Sequence, residues 1–240
     1  MKNLIGIIVL LLINMSAFGN GLSDVKPELK VMSKSGLKLR LSPNLDSPVL
    51  EVIQYGETIF LEEDSINSRE AFNVSWTKGK WIKVQYENQV GFVFDGFVSS
   101  LPVPLQDTEF AATIGGLGEA LYYWAYNNFD LISTDTLTDN DMALTTVTKL
   151  GDNELFLHDT ELTTRIDFQM KDIRIMDAYH LLESMMDSRS SRAVLKENSM
   201  FFSGVDGELN KIKIGMGLVT IKKLENGEIK VSCKTIHEGC

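Results

Sequence analysis

Few residues in this 240-residue chain are suited to nucleophilic or metal chemistry: His158, His180, His237, Cys233 and Cys240. His180-Leu181-Leu182-Glu183 sets two potential ligands one helical turn apart. The second histidine of a zinc-helix motif is missing, so His180 is expected to be a surface or core histidine. A Cys–His nucleophile pair requires a reactive thiolate, and both cysteines crowd the tail of the chain. The strained Gly-x-Ser-x-Gly turn that exposes a nucleophilic serine does not occur. Gly115-Gly116-Leu117-Gly118 has the glycines of a phosphate loop, but no β-run precedes it and no Lys-Ser/Thr follows. A kink or close helix packing is the expectation there. Tyr122-Tyr123-Trp124 reads as a core wedge rather than a sugar platform. Carboxylates are plentiful, as in any acidic domain, and leave a glycosidase-type pair open. The pattern therefore contains no catalytic motif and implies neither cofactor nor metal.

The scaffold around these residues is ordinary in composition, with 44% apolar and 23% charged residues, which excludes wholesale disorder. Its length suits one large or two modest domains. A formal charge of −10 argues against a nucleic-acid backbone or an anionic membrane surface as partner. Lys2 precedes an apolar run from Leu4 to Ile13 that only Gly6 interrupts, and Ala17-Phe18-Gly19 follows with small residues at alternate positions. The run is too short to span a bilayer comfortably. It reads as a signal peptide over 1–19, with the mature chain starting at Asn20. Cysteine is absent near the cut, so no lipid anchor is expected, and no later segment is apolar enough to insert in a membrane. The location implied is periplasmic or secreted. In an oxidising compartment Cys233 and Cys240 are expected to form a disulfide, whose short loop limits its stabilisation to roughly 2 kcal/mol.

After Ser35 the chain falls into short β-type runs. Gly36 to Leu41 alternates apolar and polar residues, and Ser42 to Pro48 is a loop through two prolines with Asn44 and Asp46. Val49 to Gln54 and Thr58 to Leu61 resume strands around Tyr55-Gly56-Glu57. Trp81 to Tyr86 and Gln89 to Phe94 pair across Glu87-Asn88. Ile82, Val84 and Tyr86 share one face, while Trp81 lies on the other with Lys83, and Gly91 admits a close backbone or ring. Short strands with tight turns point to a small β-barrel. The order Gly36-Leu37-x-Leu39-Arg40-x-x-Pro43, Val49-Leu50, Tyr55-Gly56-Glu57, Trp81-Ile82-Lys83-Val84, Gly91-Phe92-Val93 and Asp95-Gly96-Phe97-Val98 resembles a bacterial SH3 (SH3b) domain over 34–101. Two features depart from that pattern: Ser42 stands where glycine is usual, and the 62–79 connection is long, either a binding element or a tolerated insertion. The resemblance implies an interaction module, with a groove between the first loop and the aromatic strands. Asn44 and Asp46 would orient an extended peptide there over a floor of Trp81 and Phe92; alternatively, the two aromatics simply complete the small core.

A proline-containing linker at 102–107 leads to an α+β domain with a largely antiparallel sheet over 108–240, in which no family is recognised. Phe110, Ile114, Leu117, Leu121 and Trp124 predict a helix from Thr108 to Asn128. Strands are expected at Ala143 to Leu150, Glu154 to His158 and Leu162 to Ile175. Asp177 is expected to cap a helix running to Asp187, and Ser188 to Arg192 to form a solvated loop. Strands are expected again at Val194 to Phe202 and Asn210 to Leu218, before a terminal hairpin. A three-residue Glu225-Asn226-Gly227 loop would pair Val219 with Cys233 and Ile221 with Val231, gathering apolar side chains on one face. Two functions fit. One is an exported, non-enzymatic binding or envelope-associated protein, with a cell-wall peptide or envelope protein as partner. The other is a cell-wall hydrolase whose catalytic half is the C-terminal domain.

Overall fold

The computed structural model describes residues 26–62, 72–74, 77–104, 111, 113–140 and 143–237. The expected signal peptide and Cys240 lie outside them. Strict alternation makes the first strands: in Leu37-Lys38-Leu39-Arg40 the two leucines are buried and the two cations face out. The strands are β1 (Glu28–Val31), β2 (Leu37–Arg40), β3 (Val49–Ile53) and β4 (Thr58–Leu61), then β5 (Phe72–Val74) and β6 (Thr77–Gly79), then β7 (Trp81–Tyr86), β8 (Gln89–Phe94) and β9 (Val98–Ser99). All but β5 and β6 form one seven-stranded sheet in the order β3-β2-β8-β7-β4-β1-β9. Strand β1 precedes the span in which sequence alone placed the barrel, and it pairs antiparallel with β4 and β9. Within the long 62–79 connection, β5 and β6 make a two-stranded ribbon of their own. Val31, Leu37, Leu39, Ile53, Ile59, Ile82, Val84 and Val93 fill the barrel core. Gly91 sits where an added Cβ would stand 2.8 Å from the carbonyl oxygen of Arg40, so the close approach expected there is that of backbone.

The second unit has helix α1 (Leu117–Asn128), strands β10 (Leu131–Asn140), β11 (Ala143–Leu150), β12 (Asn153–Thr160) and β13 (Thr163–Met170), helices α2 (Ile175–Met185) and α3 (Arg189–Glu197), and strands β14 (Ser199–Ser203), β15 (Leu209–Ile214), β16 (Val219–Lys223) and β17 (Ile229–Ile236). Its antiparallel sheet is eight-stranded, in the order β10-β11-β12-β13-β17-β16-β15-β14. Leu155, Phe168, Val231, Ile221 and Ile212 are cross-strand partners in one row, the face on which α1 and α2 pack. The adjacent row, Phe156, Asp167, Ser232, Thr220 and Lys213, points the other way. The architecture is thus an SH3-like barrel followed by a β-rich α+β unit, as the sequence implied. The terminal hairpin has the expected register, Val219 opposite Cys233 and Ile221 opposite Val231. Gly227 takes φ 88° in its loop, which only glycine adopts without strain.

Several elements differ from expectation. The helix expected from Thr108 begins at Leu117, after a 3-10 turn at Ile114–Gly116, because paired glycines are poor helix formers; Phe110 lies outside the described residues. Strand β10 was not anticipated. The Leu162 to Ile175 run ends as a strand at Met170, and Ile175 starts α2. Asp177 is not the residue preceding α2 but its third, and its Oδ2 accepts the Arg174 backbone N–H at 2.8 Å. Ser188 to Arg192 is no loop, and Val194 no strand start. Ser188 Oγ accepts the Ser191 N–H at 3.1 Å and caps α3. Met216, expected on a strand face, sits on a 3-10 turn between Gly215 and Gly217. Cys233 is buried, and its expected disulfide partner, Cys240, lies outside the described residues.

The two units interlock. Met32 and Leu101, from either side of the barrel, belong to the second unit's core. The Trp124 indole N–H donates to Pro102 O at 3.3 Å, so the proline segment is held against α1. Arg174, just ahead of α2, reaches the barrel: its Nη2 donates to Val98 O at 2.6 Å and to Asp95 O at 2.9 Å. Its Nη1 lies 3.4 Å from Asp95 Oδ2. Burial raises the Asp95 carboxyl above the ordinary carboxylate range, against the pull of the Lys80 N–H and the Arg174 charge.

Candidate ligand-binding cleft

Outward alternation on β2 places Lys38 and Arg40 on the barrel surface, and the segment before β2 adds Lys34. Arg40 Nη1 donates to Ser47 O at 2.6 Å and ties down the following loop. Within that loop Ser47 Oγ accepts the Ser42 N–H at 2.8 Å, and Asn44 Oδ1 accepts the Asp46 N–H at 3.1 Å. Leu45, 54% exposed, projects from its tip. The β7–β8 register puts Phe94 opposite Trp81 and Phe92 opposite Lys83, so these four share a face. Trp81 and Phe94 meet edge to face at 6.5 Å, Phe94 and Phe97 pack at a tilt with centres 5.6 Å apart, and Phe97 meets the His180 ring of α2 at 5.2 Å. This aromatic chain crosses from barrel to second unit.

Between the two units it floors a cavity of about 770 Å³. Leu45, Lys38 and Arg40 stand on the barrel side, and α3 stands opposite with Arg189, Arg192 and Lys196. Those three are spaced i, i+3 and i+7, one face of a helix. His180 is buried, and its Nδ1 lies 3.3 Å from Glu183 Oε2; Lys196 Nζ lies 2.7 Å from Glu183 Oε1. Burial alone would raise the Glu183 carboxyl, but the hydrogen bonds to His180 and Lys196 outweigh it and hold it below the ordinary range. Lys34 Nζ sits 3.6 Å from the centre of the Tyr55 ring. Burial first, then the field of Arg192, lowers the Lys34 ammonium to about 8, with Glu183 opposing.

Of the four residues assigned to binding from sequence, Trp81 lines this cavity, and Leu45 lies between Asn44 and Asp46. Asn44 and Asp46 are exposed on the loop and bond to each other, and Phe92 is half-buried beside Lys83. None of these three lines the cleft. Trp81 is itself buried at 7% exposure, so it offers the cleft only a small part of its surface. The cations of α3 were missed in the sequence. Their signal was available in Ser188 as a cap and in the Arg189, Arg192, Lys196 spacing.

A second polar cluster lies on the opposite sheet face. Thr145 Oγ1 is 3.0 Å from His158 Nδ1, and His158 Nε2 is 3.5 Å from Asp167 Oδ2. The order resembles a nucleophile relay, but Thr145 is buried and Lys230 Nζ, 2.7 Å from the same Asp167 oxygen, already neutralises the carboxylate. Lys230, with Arg165 Nε 3.4 Å from the other oxygen, balances the buried Asp167 charge. Among the described residues no group of three or more His, Cys, Asp or Glu side chains is placed to hold a metal ion.

Residues 35–99 match the family model described as a bacterial SH3 domain. This part of the chain is a bacterial SH3 domain. The match ends at Ser99, so it takes in the Trp81–Phe94–Phe97 floor and leaves α2 and α3 to the second unit. Neither the curated proteins nor the solved structures include a match to this chain.

Proposed function

We propose that the protein is an exported, non-enzymatic binding protein of the cell envelope, in which the SH3 domain and the second unit together hold a peptide, peptidoglycan fragment or protein segment. The observation that carries this reading is the cleft itself: the aromatic floor of the SH3 domain opens into a cavity whose far wall is α3. A concave site with an apolar floor and a few convergent polar groups is the usual form of a ligand site. Bacterial SH3 domains suggest a cell-wall or protein-binding module, and no helix among the described residues is long and apolar enough to cross a membrane. Export through the 1–19 signal peptide, and a Cys233–Cys240 disulfide in the oxidising compartment it leads to, belong to the same proposal.

The test is binding of purified peptidoglycan and its soluble fragments to mature protein, beside Leu45→Ser. Leu45 is exposed on its loop, so the variant folds normally. Burying a leucine against ligand is worth about 1.5 kcal/mol or more, so binding should weaken about tenfold. Equal binding by both proteins would refute the cleft as the site, and binding by neither would refute a peptidoglycan ligand.

A further inference from the structure

The cleft is strongly cationic in a chain of formal charge −10. Lys34, Lys38 and Arg40 line it from the SH3 domain and Arg189, Arg192 and Lys196 from α3, with Glu183 the single lining carboxylate among the described residues. Glu183 is engaged by Lys196 at 2.7 Å. Among the described residues no carboxylate lies within ion-pair distance of Lys38, Arg40, Arg189 or Arg192. Arg40 and Arg192 bond instead to main-chain carbonyls, Ser47 O and Met186 O. Gathering Lys38, Arg40, Arg189 and Arg192 around one cavity whose acid, Glu183, is already engaged by Lys196 is unfavourable unless something else supplies the opposite charge. Two elements far apart in sequence each contribute half of the set, so the field exists only when the units are docked.

We infer that this interdomain cleft binds an acidic peptide, whose carboxylates are clamped between the SH3-domain cations and the α3 arginines while its side chains rest on the Trp81–Phe94 floor. Guanidinium groups grip carboxylates in a planar, two-pronged manner, and two of them stand one helical turn apart on α3. The apolar floor and Leu45 favour an amphipathic ligand over a bare anion. A volume of about 770 Å³ suits a short segment and not a folded partner. The inference rests on the cleft being the ligand site, and adds the ligand's charge and the need for both units.

The experiment is calorimetric titration of the mature protein with tetraglutamate, tetralysine and inorganic phosphate. Lys38→Glu, Arg189→Glu and Arg192→Glu are titrated in parallel, with thermal unfolding of each as the folding control. Lys38 and Arg189 are exposed, so their reversals leave the cores intact, and the unfolding control covers Arg192→Glu, which gives up the bond to Met186 O. The expected result is tetraglutamate binding that weakens about tenfold or more for a reversal on either side and declines with salt, with no tetralysine binding. Unchanged tetraglutamate binding in all three variants overturns the proposal, as does loss on one side only. Phosphate binding as tight as tetraglutamate overturns it in favour of a phosphate site. The peptidoglycan assay is run on the same variants. If fragments bind and only Leu45→Ser impairs them, the cleft stands as a site and the acidic-ligand inference fails. If tetraglutamate behaves as expected and fragments do not bind, the wall ligand fails and the acidic-peptide inference stands.

Discussion

Replacing Arg174 with methionine tests how firmly the two units are joined. The guanidinium makes charge-assisted hydrogen bonds to Val98 O at 2.6 Å and Asp95 O at 2.9 Å, both on the barrel, and to Asp177 Oδ1 at 2.7 Å on α2. Each such bond contributes about 1.5–3 kcal/mol when well formed. The side chain is 45% exposed, and water can reach the abandoned carbonyls, which discounts the sum. Asp177 also keeps the backbone N–H of residue 174. A loss of about 2–3 kcal/mol is the result, or roughly 4–12 °C in Tm for a chain of this size. The carbonyl bonds should dominate over the longer 3.4 Å contact with Asp95 Oδ2, so Asp95→Asn should cost less than half as much. Chemical denaturation followed by fluorescence reads both variants, since Trp81 reports on the barrel and Trp124 on the second unit. A loss below about 0.5 kcal/mol for Arg174→Met would refute the reasoning. So would a larger loss for Asp95→Asn.

Lys34 titrates near 8 in the folded protein, well below the ordinary lysine range, so anion affinity should fall about threefold between pH 7 and 9 and binding near pH 8 should take up protons. For the free protein the sign is opposite: above about 8 the unfolded chain holds this proton and the folded chain does not, so stability rises slightly with pH. Calorimetry in two buffers of different ionisation enthalpy checks the uptake, and a flat affinity profile would contradict it. Burial pushes the Cys233 thiol up to about 12, so in reduced native protein it should resist alkylation at pH 8 and react only on unfolding. Gly91→Ala should cost on the order of 1–3 kcal/mol, because the new Cβ would sit 2.8 Å from Arg40 O, and urea denaturation measures it. Ser188→Ala should cost about 1 kcal/mol through the lost cap of α3 and loosen the cationic wall, seen as faster amide exchange across 189–197.

The barrel was legible because its strands alternate cleanly and its turns carry residues with fixed conformational roles. The terminal hairpin was legible for the same reason, since only one register gathers Val219, Ile221, Val231 and Cys233 on one side. Helix α3 was not. Leu195 is its single fully buried residue, so no apolar stripe marks it, and the polar Ser-Arg-Ser-Ser-Arg run resembles a loop until Ser188 is recognised as a cap. Strand β10 escaped because it is a sheet edge exposed on both sides from Leu131 to Leu137, without inward–outward alternation to read. The cleft was half visible. Trp81 could be picked from its strand, but the opposing cations come from an element whose approach depends on Arg174, Phe97 and the interlocked cores, and local pattern carries no trace of such packing.

The central claim is that ligand sits between the SH3 domain and α3. Amide and indole N–H spectra of isotope-labelled mature protein, recorded while soluble peptidoglycan peptides are added, test it most directly. The account predicts concerted shifts of the Trp81 indole, the Leu45 loop and the Arg189 to Lys196 amides, saturating at one common concentration. Shifts confined to the barrel's outer edge at Val49 to Ile53, with α3 unmoved, would contradict it.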